Sequence, residues 1–395
     1  MTGTLDGVRV LEIAGVGPAP FGAMLLADMG AEVLRIERPG AEMLRVERPS
    51  TGSADTVPED LLNRGKRSLA ADLKNPEAVE AVLRLATQAD VLIEGFRPGV
   101  AERLGIGPDA CVSRNPRLVY ARMTGWGQDG PLAHLAGHDI NYLALAGVLA
   151  HLGRKNAPPP PPLNLVGDFG GGGMLLAFGI VCALFERARS DRGQVIDAAM
   201  LDGTALLATH LHSMRATGLW RDERESNLVD GGAPFYDTYE TADGKFVSLG
   251  AMEPKFYTGL VDSLGLDDLP DRDDRRQWPV IRKRLADLIR SRTREEWNVE
   301  LAQRDICFAP VLDYDEAPEH QHNVTRGTFT EHSGVVQPAP APRFSRTPGS
   351  ISGPAPAPGR DTDAALRDWG FDQCEVDALR AAGAVAGPRR TGQHR

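Results

Sequence analysis

Val8-Arg-Val-Leu-Glu-Ile-Ala14, then Pro20-Phe-Gly-Ala-Met-Leu-Leu-Ala-Asp-Met29, then Ala31-Glu-Val-Leu-Arg-Ile-Glu37 decide the fold class. The outer two read as strands. The middle one places Phe21, Met24, Leu25 and Leu26 at helical spacing. A strand, a helix and a strand in short succession predict a parallel sheet, hence an α/β fold. Further strands are expected at 91–95 and 118–123, with a helix over 76–88 leading into the first of them. Gly15-Val-Gly17 lies in the first strand-to-helix turn, where nucleotide-binding folds receive phosphate. Pro20 stands where the third glycine of the dinucleotide fingerprint would be. Arg38 follows Glu37 at the end of the second strand, and arginine there suits a phosphorylated ribose better than a nicotinamide cofactor. Arg64, Lys66, Arg67 and Arg97 add cations; an anion site and a solvated surface are equally open readings. Residues 31–40 are nearly repeated at 41–50, a tandem duplication that lengthens a loop and offers Arg48 as a second copy of Arg38.

Beyond this opening, 195–218 reads as mostly helical. A hairpin is expected from 235–239 and 245–249 around Asp243-Gly244. Helices over 255–264, 280–290 and 293–303 complete a smaller α+β unit. A proline-rich connector spans 338–358, and a last helix 362–382. The expected organisation is a large α/β domain over 1–190 and a helical linker over 191–229. A small α+β domain over 230–320 follows, then a tail over 321–395 that returns to the large domain.

At 395 residues the chain exceeds one ordinary core. Its net charge of -10 argues against a nucleic-acid surface, so an anionic ligand must be met by local basic groups. Four widely spaced cysteines predict free thiols in a reducing cytoplasm. The first residues show no signal-peptide pattern. The longest apolar run, 174–185, is shorter than the ~20 residues of a membrane span and is expected to be a buried helix.

Two segments carry chemistry. Gly137-His-Asp-Ile-Asn-Tyr142 puts a histidine after glycine at an expected helix start. Free N–H groups there, at His138 and Asp139, suit a developing oxyanion. Asn164-Leu-Val-Gly-Asp168 precedes four glycines, 170–173. Asn164 and Asp168 share a helix face. Asp168 reads equally as a base and as the N-cap of a helix over 170–185. Glu253, before Pro254, is by spacing alone a partner of the helix dipole. No metal-ligand constellation and no nucleophile elbow is visible.

Seven ordered motifs resemble the family III CoA-transferase superfamily, and its racemase branch especially. They are Gly7-Val-Arg-Val-Leu-Glu-Ile13, Leu25-Leu-Ala-Asp-Met-Gly-Ala31, Asp90-Val-Leu-Ile-Glu-Gly-Phe-Arg-Pro-Gly99 and Ala121-Arg-Met-Thr-Gly-Trp-Gly-Gln128, with the His138 segment, Asn164-Leu-Val-Gly-Asp-Phe-Gly170 and Asp230-Gly-Gly-Ala-Pro234. The resemblance implies an interlocked homodimer acting on acyl-CoA, its large domain over 1–190 Rossmann-like and CoA-binding, with no cofactor beyond the CoA of the substrate. It implies inversion at the α-carbon of 2-methylacyl-CoA thioesters, with His138 and Asp168 as the two bases. Asn164 would support Asp168, and Glu253 would orient His138 from the other subunit. Arg38 and Arg97 match CoA-binding positions; Arg48 competes with Arg38. The alternative is a CoA-transferase with Asp168 as nucleophile. A non-catalytic acyl-CoA-binding protein is a third, weaker reading.

Overall fold

Apolar runs at β1 (Arg9–Ile13), β2 (Glu32–Glu37), β4 (Val91–Glu94) and β5 (Val119–Thr124) fit strands covered on both faces. The structure is a computed structural model that describes residues 3–40 and 60–388. With β3 (Arg67–Ala71) and β6 (Val195–Ala199), these strands form a parallel sheet ordered 3-2-1-4-5-6. Val385–Ala386 extends the β3 edge antiparallel, so the tail returns to this sheet. The order in which strands are added reverses between the parallel neighbours β1 and β4, and the crevice above their carboxyl ends is where such sheets take ligands.

Alternate strand residues serve two cores. Leu11, Leu34, Leu69 and Leu92 pack with helix α2 (Pro76–Ala86) and with Trp369 and Val376 of the tail. Val10, Val33, Val91 and Ile93 pack on the other face with helix α1 (Pro18–Asp28) and with Leu176 and Ile180. A proline at the first position of α1 starts it, and Gly30 at φ +100° ends it.

A wide π-helical stretch, Leu165–Met174, runs into the helix Leu175–Ser190. Its glycines are packing devices. A Cβ on Gly171 would lie 2.7 Å from the Thr204 nitrogen, and one on Gly173 would lie 2.7 Å from the Pro18 carbonyl. The expectation of a buried helix over 174–185 needs correction: Phe178 is 66% and Phe185 68% exposed. By length and composition alone, Leu165–Ser190 could cross a membrane. Its glycine half instead lies against α1 and the helix Met200–Leu207, and Arg187 pairs with Asp90 at 2.8 Å.

Other expectations are also revised. Residues 195–199 form an edge strand, not helix, because β6 alternates exposed Val195 and Asp197 with half-buried Ile196. The 362–382 helix is two, Thr362–Asp368 and Gln373–Ala381, parted by Gly370 at φ +87° and recapped by Asp372.

The chain divides into two compact units. The first takes residues up to 146, 163–207 and from 327 on; the second takes 147–162 and 208–326. The linker expected over 191–229 is therefore split between them. In the second unit Tyr236–Glu240, Phe246–Gly250 and Phe308–Pro310 form an antiparallel sheet, with the hairpin turning at Gly244, φ +72°. Helices Pro254–Leu264, Trp278–Ile289 and Arg294–Leu301 cover it around Phe235, Leu260, Ile281 and Trp297. Residues 147–162 join this unit because Arg154 bridges Asp237 and Glu225, while Arg224 donates to the carbonyls of Ala150, Arg154, Lys155 and Ala157.

Candidate active site

Asp168 sits inside the π-helical stretch, one turn after Asn164, so it is not the helix N-cap. Asn164 Nδ2 donates to Asp168 Oδ2 at 3.2 Å. The helix start leaves the N–H groups of Gly167 and Asp168 without helical partners. Asp139 Oδ1 accepts both, at 2.7 and 2.8 Å. Residue 167 must be glycine, since a Cβ there would lie 2.5 Å from that oxygen. Asp139 is buried and thus holds the Asp168 backbone in place. Its side chain faces the helix start, not solvent, and its own N–H is left at the start of the helix Asp139–Leu145.

His138 is extended (φ -132°, ψ 171°) immediately before the helix Asp139–Leu145, and it is exposed. Its N–H donates to Asn141 Oδ1 at 3.0 Å. Burial raises the Asp168 carboxyl above its ordinary value; the Asn164 bond lowers it, Asp139 raises it and His138 lowers it.

Tyr142 closes this neighbourhood. A Cβ on Gly125 would lie 2.2 Å from its ring and one on Gly137 2.8 Å, and Trp126 meets it edge-on at 4.7 Å. Burial, then the Asp168 charge, push its hydroxyl up to about 12, against Arg97. On the other side stands the β1–α1 turn. Gly17 has φ +69°, and its Cβ position lies 3.8 Å from Asp168 Oδ2. The same turn lines a cleft of about 950 Å³ with Arg38, Lys74, Phe96 and Leu104. That cleft offers two exposed cations for phosphate and an apolar wall for a planar ring.

The family model for CoA-transferase family III matches residues 5–362. The chain belongs to CoA-transferase family III. It is 48% identical over 381 residues to an alpha-methylacyl-CoA racemase of Mus musculus, covering 95% of this chain and 96% of that protein. The Homo sapiens alpha-methylacyl-CoA racemase is 45% identical, with the same coverage. Among solved structures, a CAIB/BAIF family protein from Brucella suis is similar at TM-score 0.80 and 26% identity, over 93% of this chain and 100% of that one.

In this family III chain the structure joins Asp139, Asn164 and Asp168 in the first unit, with His138 next to Asp139 in the chain; Arg97 does not line the cleft. Arg38 lines the cleft; Arg48 lies outside the described residues. Glu253 stands in the second unit, exposed, at the N-cap of Pro254–Leu264 with no capping bond of its side chain. Arg64 and Arg67, expected among the CoA-binding groups, do not line that cleft, and other groups of the chain take up donors of both. Buried Arg64 holds Asp28 and donates to Gln337 and the Pro338 carbonyl. Arg67 pairs with Glu32 and Asp368. Lys74 escaped the sequence reading because β3, which ends just before it, has one large apolar residue and was not read as a strand.

These placements separate by experiment. Arg38→Ala should raise KM for an acyl-CoA by about 10-fold or more, the loss of one charge-assisted hydrogen bond, with thermal stability unchanged. Arg64→Ala should lower unfolding free energy by about 3–5 kcal/mol, because Asp28 is left buried and unpaired, with KM of the folded fraction unchanged. Steady-state kinetics and urea unfolding read the two effects.

Proposed function

We propose that the chain is a racemase that inverts the α-carbon of 2-methylacyl-CoA thioesters by two-base proton transfer through an enolate. The observation that carries this reading is a carboxyl raised by burial, Asp168, tied through buried Asp139 to the His138 segment and standing beside a cleft lined by Arg38 and Lys74. The CoA moiety lies in the cleft near Arg38 and Lys74, and the acyl carbon reaches between the two bases. One base removes the α-proton, and the electron pair moves to the thioester oxygen. The conjugate acid on the opposite face then returns a proton to that carbon. Because Asn141 takes the His138 N–H, the enolate oxygen meets the N–H groups of Asp139 and Ile140. No cofactor enters the reaction; CoA is part of the substrate.

The working form in this reading is a homodimer in which Glu253 of the partner chain orients His138. Phe178, Val181 and Phe185 support it, an exposed stripe at i, i+3 and i+7 on the Leu175–Ser190 helix. The test is a single 2-methylacyl-CoA epimer in heavy water without an acceptor acid. Expected are epimerisation and one deuterium at the α-carbon. Transfer of CoA to an added free acid, with a hydroxylamine-trapped adduct on Asp168 and no deuterium uptake, would replace this reading with the transferase one.

A further inference from the structure

Beneath the cleft, Glu12 in the middle of β1 is fully buried, as is the side chain of Lys66. The three N–H bonds of Lys66 Nζ are all satisfied: by Glu12 Oε2 at 2.6 Å, Asn63 Oδ1 at 2.9 Å and the Pro20 carbonyl at 3.0 Å. The other Glu12 oxygen accepts from Arg35. Arg35 also donates to Glu37 at 3.2 Å and to the Gly15 carbonyl at 3.3 Å. Two cations and two carboxylates thus balance in charge. Of their remaining donors, one goes to Asn63 and two go to the backbone carbonyls of Gly15 and Pro20. Gly15 lies in the β1–α1 turn and Pro20 in the first turn of α1.

Burying four charges is costly, and an apolar set of similar volume would hold the fold as well or better. What such a set lacks is donors aimed at those carbonyls. Glycine at residue 17 and an N-cap without a side-chain bond leave the turn little local restraint. Yet Gly17 faces Asp168 Oδ2, and Gly15, Val16 and Pro20 line the cleft.

We infer that Lys66, with Glu12 and Arg35, is a positioning residue for the proposed racemase site, clamping the turn that lines the cleft and shields Asp168 from water. This rests on the reading of Asp168 as a base. The charges acting on Asp168 are His138 and Asp139, with the Asn164 amide on its own element. Asp202, the carboxylate of the neighbouring Met200–Leu207 helix, is exposed. Residues 14–20 carry no charged side chain, so the turn acts on Asp168 by excluding water.

The test is the paired variant Glu12→Gln/Lys66→Met, which removes one charge of each sign. Asn63→Ala, which deletes one acceptor of Nζ and keeps every charge, is the milder companion. Two readouts matter, KM for an acyl-CoA and the titration of the Asp168 carboxyl. Difference infrared spectra of each protein against its Asp168→Asn counterpart follow that titration without turnover. KM should rise about 10-fold in the paired variant. The Asp168 titration should move toward the ordinary aspartate value, and Asn63→Ala should shift both in the same directions by less. A purely structural role predicts less folded protein with KM and titration unchanged in what folds, and that result overturns the inference. If the paired variant does not fold, the Asn63→Ala result decides alone. Because the infrared signal needs no catalysis, failure of the racemase reading in heavy water stays distinguishable from failure of the clamp.

Discussion

Asp168→Asn should abolish epimerisation, by about 10³-fold or more, yet leave α-proton exchange in one epimer of the substrate. The expectation follows from the geometry of two bases. Each epimer presents its α-proton to one face. With Asp168 lost, His138 still removes the proton that faces it and returns a solvent deuteron to the same face. That epimer exchanges without inverting, while the other neither exchanges nor inverts. His138→Ala should give the mirror pattern, with exchange confined to the opposite epimer. Mass spectrometry of chirally resolved products in heavy water reads both. Exchange in both epimers, or in neither, for both variants would contradict the assignment of one base to each face.

The pH dependence carries a sign. Asp168 must be ionised to accept a proton, and burial raises its carboxyl above the ordinary value. Activity in the direction begun by Asp168 should therefore fall as pH drops through that raised value. The acid limb of kcat/KM for that epimer then lies above the ordinary aspartate range. A limb at or below that range would show that the carboxyl is hydrated in the free enzyme.

What the sequence revealed tracks how local the physics is. The β-α-β opening was legible because β1, β2 and α1 are long apolar segments with a glycine turn and a proline start. The pairing of Asn164 with Asp168 was legible because four residues make one helical turn. Arg64 was misread because its partner Asp28 is 36 residues away in the chain, and nothing local separates a cation beside a cleft from one inside an ion pair. Strand β3 was missed because Arg67 and Ser68 look solvated, although Ser68 is buried against Glu37. The part played by Asp139 is the instructive case. Sequence placed it beside His138 and offered its backbone N–H to a developing oxyanion. Only the fold shows that its carboxylate reaches across to residues 167 and 168, so the two motifs are joined by a buried side chain and not merely adjacent.

Coexpressed His138→Ala and Glu253→Ala subunits, each inactive alone, should together regain activity. The two residues belong to different compact units of the chain. If Glu253 of one chain orients His138 of the other, each substitution disables both sites of its own homodimer. In the mixed dimer the His138→Ala chain supplies an intact Glu253, but it faces the intact His138 of the other chain. One site is then wild type and the other carries both lesions. With independent sites, a mixed dimer has about half the wild-type activity, and random pairing of equal amounts gives about a quarter overall. Loss of Glu253 alone should lower kcat by about 10²-fold or more, the scale for a group that holds a catalytic imidazole in one tautomer. Purification through two different tags isolates the mixed dimer and removes dilution from the comparison. If both residues of a site came from one chain, each site of that dimer would carry one lesion. The mixed dimer would then be as inactive as its parents, and the shared site would have to be abandoned.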